Sequence, residues 1–347
     1  MSNKNLHSAK RKKNDEFYTQ LKDIENEMIN YISHFKDKIV FCNCNDGLDS
    51  KFVEYFSKNF HFLGLKKLIH TSYCKDGQGK LYTFSGFKEG KTMPESDDWK
   101  IIDLKGDGGF DSDECKELLK ESDIIVTNPP FSLFREFIKV MMDYDKRFLV
   151  IGNQNAITYK EVFPLIKDNR LWLGVNSNKS MDFVIPDSYK IMGGGYTDDN
   201  GKKHGIVPGI TWFTNLPHNK RNQELILYKK YKGNEDKYPI YDNYMAFNID
   251  KTKDIPEDDF IDLEVSEEEC KKWKTTYGDD CKILEPGKIR INKPIFGVPI
   301  SFLDKYCPEQ FEIVSFRKGD DGKDVFFFYK RERERVQPYF RVFIRRR

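Results

Sequence analysis

The strongest constraint on the fold is a regular alternation of short apolar segments with helical patterns between residues 38 and 175. Buried strands are predicted at 38–44, 66–73, 99–104, 123–127, 148–152 and 171–175. Helical patterns lie between them, around Phe52, Val53 and Phe56 and at 112–120, 131–144 and 158–168. Strands that alternate with helices of this length predict a doubly wound, mostly parallel α/β sheet, whose ligands bind beyond the carboxyl ends of the strands.

The remaining segments depart from this alternation. Residues 15–35 carry apolar residues at spacings of four and predict a helix before the first strand. Residues 75–98 are rich in glycine and charge and indicate an excursion such as a hairpin. We expect residues 176–347 partly to complete the sheet and partly to form an appended recognition region. Within them, residues 252–290 are acidic and turn-rich and show no clear periodicity.

Charge is concentrated at the two ends of the chain. The formal net charge is only +2. Residues 1–13 nevertheless carry five basic and no acidic side chains, and residues 330–347 carry eight basic against two acidic ones. Basic ends on an acidic body suit a polyanionic partner that is held at specific places. Two solvated tails are an equally good interpretation of the charge alone.

The cysteines and the hydropathy indicate a cytoplasmic protein. The chain has 7 cysteines, and none of them forms a CxxC pair. This argues against a disulfide framework and against a zinc site. No apolar stretch is long enough to predict a membrane span, and the polar N-terminus does not resemble a secretory signal. The sequence indicates no obligate protein partner and is compatible with a monomer.

One motif carries a specific chemistry. Asn128, Pro129, Pro130 and Phe131 follow the predicted strand 123–127 and open a helix, in the general pattern Asn, Asp or Ser before Pro-Pro-aromatic. An aromatic amine is a poor nucleophile because its lone pair is delocalised, and two acceptors against its N–H groups localise that pair. The Asn128 side-chain oxygen and the rigidly held Pro129 carbonyl are suited to this role. Phe131 offers a face for base stacking. The plainer alternative is a stiff Pro-Pro loop that starts a helix.

A methyl donor must lie in line with such an amine, so a cofactor site is expected next to the loop. The loop after the first strand, with Asn43, Asn45, Asp46 and Gly47, is the first candidate. The second is the segment 106–110 after the strand 99–104, in which Asp107 is placed to accept from a cofactor ring and Phe110 to pack on it. Each candidate is weak alone, because Gly-Asp turns are common.

Other chemistries are less compatible with the sequence. The segment 86–92 is one residue short of a phosphate-binding P-loop and precedes Met93-Pro94 rather than a helix. No Pro-Cys dipeptide is present, which argues against a covalent cysteine mechanism at a cytosine ring carbon. The six histidines lack ligand spacing, which argues against a zinc deaminase.

Along most of its length the chain resembles the EcoRI-type adenine-specific DNA methyltransferases. The strongest similarity covers residues 123–136, around the Asn-Pro-Pro-Phe motif. Further similar segments are 15–20, 39–46, 63–69, 157–163, 172–175, 241–244, 297–303 and 308–312.

The resemblance implies a class I methyltransferase fold, S-adenosylmethionine as methyl donor and N6-methyladenine as product. It also implies that Phe17, Tyr18 and Thr19 help to hold the methionine part of the donor. We therefore expect a basic arm with a cofactor-segment helix at 1–37, a catalytic domain at 38–216 and a target-recognition region at 217–347. The expected partner is double-stranded DNA with a flipped-out adenine, in a restriction-modification system, and the expected location is cytoplasmic, at the nucleoid.

Two features depart from the family pattern. The glycine-rich loop usual after the first strand is reduced to Gly47, and the second strand ends without an acidic residue to bind the donor ribose. Asp46, Asp49 and Asp76 are candidates to replace that acid. Two alternatives stay open: a methyltransferase that acts on an RNA guanine amine or a protein glutamine amide, and a non-catalytic nucleic-acid-binding protein on the same fold.

Overall fold

The computed structural model describes residues 17–43, 47–74, 76–87, 91, 93–177, 179–185, 195–317, 327–329, 334–336 and 338–347. The chain divides into two compact units. The first comprises Met1–Ile166 and Arg170–His218, and the second comprises Lys167–Asn169 and Asn219–Arg347. The described part of the expected N-terminal arm lies in the first unit. The assignment of an arm, a catalytic domain and a target-recognition region remains a prediction.

Up to residue 214 the structure consists of short helices and strands. The helices are α1 (Leu21–Met28), α2 (Ile32–Phe35), α3 (Lys51–Lys58), α4 (Phe60–Leu63), α5 (Asp113–Glu121), α6 (Phe134–Asp143) and α7 (Phe163–Lys167). The strands are β1 (Tyr18–Thr19), β2 (Ile39–Asn43), β3 (Lys67–Ser72), β4 (Lys80–Phe84), β5 (Trp99–Asp103), β6 (Ile124–Thr127), β7 (Arg147–Asn153), β8 (Trp172–Leu173), β9 (Asp182–Val184), β10 (Tyr196–Thr197), β11 (Lys203–Ile206) and β12 (Ile210–Thr214).

The main sheet of the first unit has the strand order β5-β4-β3-β2-β6-β7-β12-β8. The four central strands, β3, β2, β6 and β7, are mutually parallel. β4 and β12 run in the opposite direction, so six of the eight described strands share one direction. The central strands are almost entirely buried, as expected for parallel strands covered on both faces.

The prediction of an α/β sheet is confirmed, and its antiparallel members are a correction to uninterrupted βαβ alternation. Residues 75–98 contribute β4, which pairs antiparallel with both β3 and β5. β12 also enters antiparallel, next to β7. The strand periodicity of two does not reveal direction, because direction depends on the connections rather than on the local residue pattern.

Helices cover both faces of this sheet. On one face, Ile24 and Met28 of α1 and Phe56 of α3 belong to the core that includes Val40 and Val126 of the sheet. On the other face, α6 packs on β7 and β12, and the ring centroids of Phe134 and Phe213 are 5.0 Å apart. Successive strand residues point to opposite faces of the sheet. Because helices cover both faces, both sets of side chains are buried. Because the four central strands are parallel, their carboxyl ends lie at one edge of the sheet.

The N-terminal segment corrects a prediction. Residues 15–35 were expected to form one helix, but the structure has the short strand β1 at 18–19 followed by α1 and α2. β1 pairs antiparallel with β9, in a small sheet of order β1-β9-β11-β10. Apolar spacing identifies α1 correctly. It does not detect β1, whose partner lies far along the chain.

Helix α1 is tied to the main sheet by a buried carboxylate. Glu27 is fully buried and accepts hydrogen bonds from Val175 N (2.8 Å), Asn176 N (2.9 Å), Asn176 Nδ2 (2.9 Å) and the Tyr31 hydroxyl (3.0 Å). Burial raises the pKa of Glu27, and these hydrogen bonds oppose that rise. A buried acceptor with this many donors is a strong anchor, because each donor needs a partner in the absence of water.

The described part of the second unit contains three further sheets. Its elements are β13 (Ile240–Tyr241), β14 (Tyr244–Asn248), β15 (Phe260–Glu264), α8 (Glu267–Tyr277), β16 (Cys281–Glu285), β17 (Lys288–Asn292), β18 (Phe296–Pro299), β19 (Phe311–Arg317), β20 (Phe327–Tyr329), β21 (Glu334–Val336) and β22 (Arg341–Arg346). The sheet orders are β13-β14-β18-β22-β19, β15-β17-β16 and β20-β21. Residues 252–290, whose sequence shows no clear periodicity, hold β15, α8 and most of a hairpin.

Three arginines of the basic C-terminus form ion pairs within the second unit. Arg341 is buried and bonds Asn248 and Asp250, Arg345 lies 2.9 Å from Glu312, and Arg346 lies 2.8 Å from Asp259. The charge pattern of the sequence did not predict these ion pairs, and the side chains of Arg345 and Arg346 remain about one-third exposed (33% and 30%). Residues 1–13 and 330–333 of the basic ends lie outside the described residues. In the described part of the chain, no helix is long and apolar enough to cross a membrane.

Replacement of Glu27 by glutamine is expected to lower stability by about 1–3 kcal/mol, because an amide NH₂ group then faces backbone N–H donors that need an acceptor. The urea midpoint of unfolding measures the effect. Glu25→Gln is the matched control, since Glu25 is exposed on the same helix and its change is expected to stay within about 0.5 kcal/mol. Equal midpoints for the two variants would contradict the anchoring role of Glu27.

Candidate active site

Four segments meet at the carboxyl edge of the main sheet. Asn43, at the end of β2, donates from Nδ2 to Thr71 Oγ1 (2.6 Å) at the end of β3 and to the Gly108 carbonyl (3.3 Å) in the loop after β5. The Thr127 hydroxyl, at the end of β6, donates to the Asn43 carbonyl. These contacts join the two predicted cofactor segments and the strand that carries the Asn-Pro-Pro-Phe motif.

Asn128 is held by the N-terminal segment. Its Nδ2 donates to the Phe17 carbonyl (2.6 Å) and lies 3.2 Å from Thr19 Oγ1. Its Oδ1 is shielded from solvent and has no hydrogen-bond partner among the described residues. A buried acceptor without a partner is rare in folded proteins and is a mark of a functional site. The structure therefore brings together the predicted catalytic amide and two of the three residues that the resemblance assigns to the donor.

The rest of the motif is largely internal. Pro129 is buried and Pro130 is half-buried. The Phe131 ring is only 2% exposed, and its centroid lies 5.5 Å from that of Phe17. Most of the ring is thus occupied by protein contacts, and a role for Phe131 in base stacking stays a prediction. Tyr18, between the buried residues Phe17 and Thr19, is 39% exposed.

The loop after β2 is fixed by a buried histidine. His70 Nδ1 lies 2.8 Å from the Cys42 carbonyl, and because a carbonyl only accepts, this nitrogen carries the proton. Burial lowers the pKa of His70 to about 4, and hydrogen bonds with the backbone of Cys42 and Gly47 oppose the shift. Gly47 has φ +55°, a conformation that favours glycine. Asn45 and Asp46, predicted for this loop, lie outside the described residues.

The loop after β5 approaches the end of β3 closely. Gly108 has φ +81°, and a Cβ atom there would lie 2.2 Å from the Ser72 carbonyl, so only glycine fits. Asp107 is exposed, and Phe110 is half-buried with its ring edge-to-face on Phe137 at 5.2 Å. Both predicted cofactor residues are thus presented at this edge, on a loop of defined shape.

A second anchor of this loop is a carboxylate. Glu114 accepts hydrogen bonds from the backbone N–H groups of Lys105 (3.0 Å) and Gly106 (2.8 Å). These two bonds lower the pKa of Glu114, so the carboxylate stays ionised and keeps the loop in place. Of the acids suggested for the donor ribose, Asp49 and Asp76 are exposed, and Asp46 lies outside the described residues. In the described part of the chain, no group of acidic, histidine or cysteine side chains is arranged to hold a metal ion.

Sequence reasoning missed Thr71, Thr127 and His70, although each is buried at this edge. Strand-terminal threonines and a single histidine have no distinctive local pattern. A polar residue at the end of an apolar strand was the only available signal, because such a residue is expected at the ligand-binding edge of a parallel sheet.

Comparison with known proteins identifies the family. The family model for the EcoRI adenine-specific methyltransferase matches residues 5–267. The chain belongs to this family. It is 43% identical over 354 residues to the Type II methyltransferase M.EcoRI of Escherichia coli. This alignment covers 99% of this chain and 97% of the relative.

Two mycoplasma proteins are also similar to this chain. This chain is 40% identical to the Type II methyltransferase M.MgeORF184P of Mycoplasma genitalium and 38% identical to the Type II methyltransferase M.MpnI of Mycoplasma pneumoniae, in each case over 88% of its length. These alignments cover 84% and 83% of the two relatives. No solved structure matches the chain.

Family membership establishes the activity. The protein is a site-specific, adenine-specific DNA methyltransferase of the restriction-modification type. The alternatives of an RNA guanine amine, a protein glutamine amide or a non-catalytic binding protein are therefore set aside.

The buried His70 predicts an acid-sensitive fold. Its folded pKa of about 4 lies below the unfolded value of 6.5. Between these pH values the unfolded chain binds a proton that the folded chain does not. The contribution of His70 to stability is therefore complete well above pH 6.5. It declines as the pH falls towards 4, by at most about 1.4 kcal/mol for each pH unit. Unfolding free energies measured from pH 7 to pH 4.5 should show a shallower decline in His70→Gln. The exposed His61→Gln variant is the control, and a decline in His70→Gln as steep as in this control would contradict the assignment.

Proposed function

We propose that this enzyme transfers a methyl group from S-adenosylmethionine to N6 of an adenine that is flipped out of double-stranded DNA. The observation that carries the proposal is the buried Asn128 Oδ1, which has no hydrogen-bond partner among the described residues. An exocyclic amino group supplies the N–H donor that this atom lacks. The adenine specificity of the family fixes which base presents that donor.

Asn128 acts by accepting, at Oδ1, a hydrogen bond from one N–H of the amino group. The second acceptor is the Pro129 carbonyl, held by two rings that restrict the backbone. Together they draw the nitrogen towards a tetrahedral shape and stabilise the positive charge that develops on it. After transfer, the methylated nitrogen gives up a proton to solvent. Because Oδ1 is shielded in this structure, the proposal requires that the atoms covering it move when the base enters.

The donor site is proposed at the adjoining strand ends. When bound, S-adenosylmethionine supplies an electrophilic methyl group on a sulfonium. Asn43 and Gly47 line the end of β2, Asp107 is available to accept from the donor's adenine, and Phe110 to pack on that ring. Thr71 and Gly108 shape the loops there. The residues fit such a molecule because their loops leave polar side chains at a strand edge where nucleotide-like ligands bind in α/β sheets.

A class I methyltransferase fold is proposed on the same grounds: parallel central strands, helices on both faces, and a catalytic loop at the carboxyl edge. The second unit is proposed as the target-recognition region.

A base inside the duplex is out of reach of the site, so the adenine must flip out, at a cost of a few kcal/mol. The cytoplasmic, nucleoid-associated location and the monomeric state remain predictions.

The Asn128→Ala variant is expected to lose at least about 100-fold in methyl transfer, because one of two preorganised acceptors is removed, while donor binding is retained. Transfer of a labelled methyl group to duplex DNA measures the rate, with RNA and protein as alternative substrates. Mass spectrometry of the hydrolysed DNA identifies N6-methyladenine.

The matched control is Asn215→Ala. Asn215 also hydrogen-bonds the backbone through its side-chain amide, at Lys146 and Phe148 near the opposite end of β7. Its replacement is expected to lower stability and leave the rate intact. Near-normal transfer by Asn128→Ala would defeat the proposed role of Asn128.

A further inference from the structure

The orientation of the Asn128 amide is set by the protein. The Phe17 carbonyl lies 2.6 Å from Asn128 Nδ2. A carbonyl has no proton to donate, so only the NH₂ end of the amide is stable against it. A reversed amide would bring two oxygen atoms together. Thr19 Oγ1, at 3.2 Å, provides a second acceptor for the same nitrogen. The amide oxygen is thereby directed away from the 17–19 segment.

The segment that makes these contacts is itself well anchored. β1 pairs with β9 through Tyr18–Val184 and Thr19–Phe183. The Phe17 ring packs between Phe131, at 5.5 Å, and Phe183, at 6.1 Å. Thr19 is only 4% exposed. A segment held by backbone pairing and by ring contacts is a firm support for the amide, because side chains that are packed and hydrogen-bonded keep a catalytic group in position.

We infer that Thr19 is a positioning residue for methyl transfer, and that its hydroxyl and the Phe17 carbonyl hold Asn128 with Oδ1 towards the base. This inference rests on the proposed role of Asn128 as the acceptor for the amino group. It adds a function to Thr19 that is distinct from holding the donor. It also joins the segment expected to hold the donor to the residue expected to bind the base.

The same geometry specifies the residue type at position 128. The general motif admits Asp or Ser at this position. In this chain an ionised Asn128→Asp side chain has no donor for the Phe17 carbonyl and places a negatively charged oxygen against it. Of asparagine and ionised aspartate, only the amide of asparagine combines a donor for the segment 17–19 with an acceptor for the base.

The test separates positioning from cofactor binding. Thr19→Val removes the hydroxyl and keeps the shape, and Thr19→Ser keeps the hydroxyl. Single-turnover methylation is measured with S-adenosylmethionine at saturation, and its Kd is measured separately for each variant. We expect Thr19→Val to be about 10- to 100-fold slower at saturating donor, as a misplaced catalytic group implies. Thr19→Ser should stay within about threefold of the unsubstituted rate.

Thr214→Val is the matched control. Thr214 is fully buried, and its hydroxyl donates to the Phe148 carbonyl at 2.7 Å, on β12 two strands away from β6. Thr214 Oγ1 also accepts a hydrogen bond from Leu216 N (3.0 Å). Its replacement therefore deletes two buried hydrogen bonds away from the site, so it reports any general effect of lost stability. We expect the Thr214→Val enzyme to keep the unsubstituted single-turnover rate at a temperature where it is folded.

Several outcomes would overturn the inference. If the defect of Thr19→Val disappears at saturating donor, the hydroxyl is a cofactor contact only. If Thr19→Ser is as slow as Thr19→Val, the hydroxyl is not what matters. If Asn128→Asp retains the unsubstituted rate, the Phe17 carbonyl does not require an amide; we expect a loss of at least about 100-fold. An unsubstituted enzyme that forms no N6-methyladenine would instead refute the proposed function.

Discussion

The hydrogen bond from the Asn128 amide to the Phe17 carbonyl is the interaction on which the account of the site depends. It joins the loop after a central parallel strand to a segment far away in sequence. Because a carbonyl can only accept, the bond decides which end of the amide is left for another molecule. The consequence is a buried oxygen without a partner within the described residues, an arrangement that folding alone disfavours and that we propose a substrate amine completes.

The sheet supplies the geometry that makes this interaction useful. Parallel strands end at one edge, so loops from distant parts of the sequence become neighbours there. Asn43 connects the ends of β2 and β3 with the loop after β5, and Thr127 connects β6 to the same place. His70 fixes the loop after β2 as a neutral buried imidazole. Glu114 fixes the loop after β5 as a carboxylate that is hydrogen-bonded to backbone N–H groups. We propose that the methyl donor and the base meet at this edge because the loops expected to bind them already contact each other there.

Much of this was accessible from the sequence, for identifiable reasons. The central strands are continuous apolar runs, and the Asn-Pro-Pro-Phe motif follows one of them. β1 was missed because a two-residue strand is defined by its distant partner at 182–184. The region 252–290 was missed although Ser266 and Glu269 form a capping box that marks the start of α8. The ion pairs of the basic C-terminus with Asp250, Asp259 and Glu312 could not be predicted from the sequence because they depend on tertiary structure.

The most direct measurement is a crystal structure of the enzyme with duplex DNA and a non-transferable analogue of the methyl donor. We expect an extrahelical adenine whose amino nitrogen lies within about 3.2 Å of Asn128 Oδ1, with Nδ2 still bonded to the Phe17 carbonyl. An adenine amino group bound by other residues, with Asn128 Oδ1 beyond hydrogen-bonding distance or the amide reversed, would contradict this expectation.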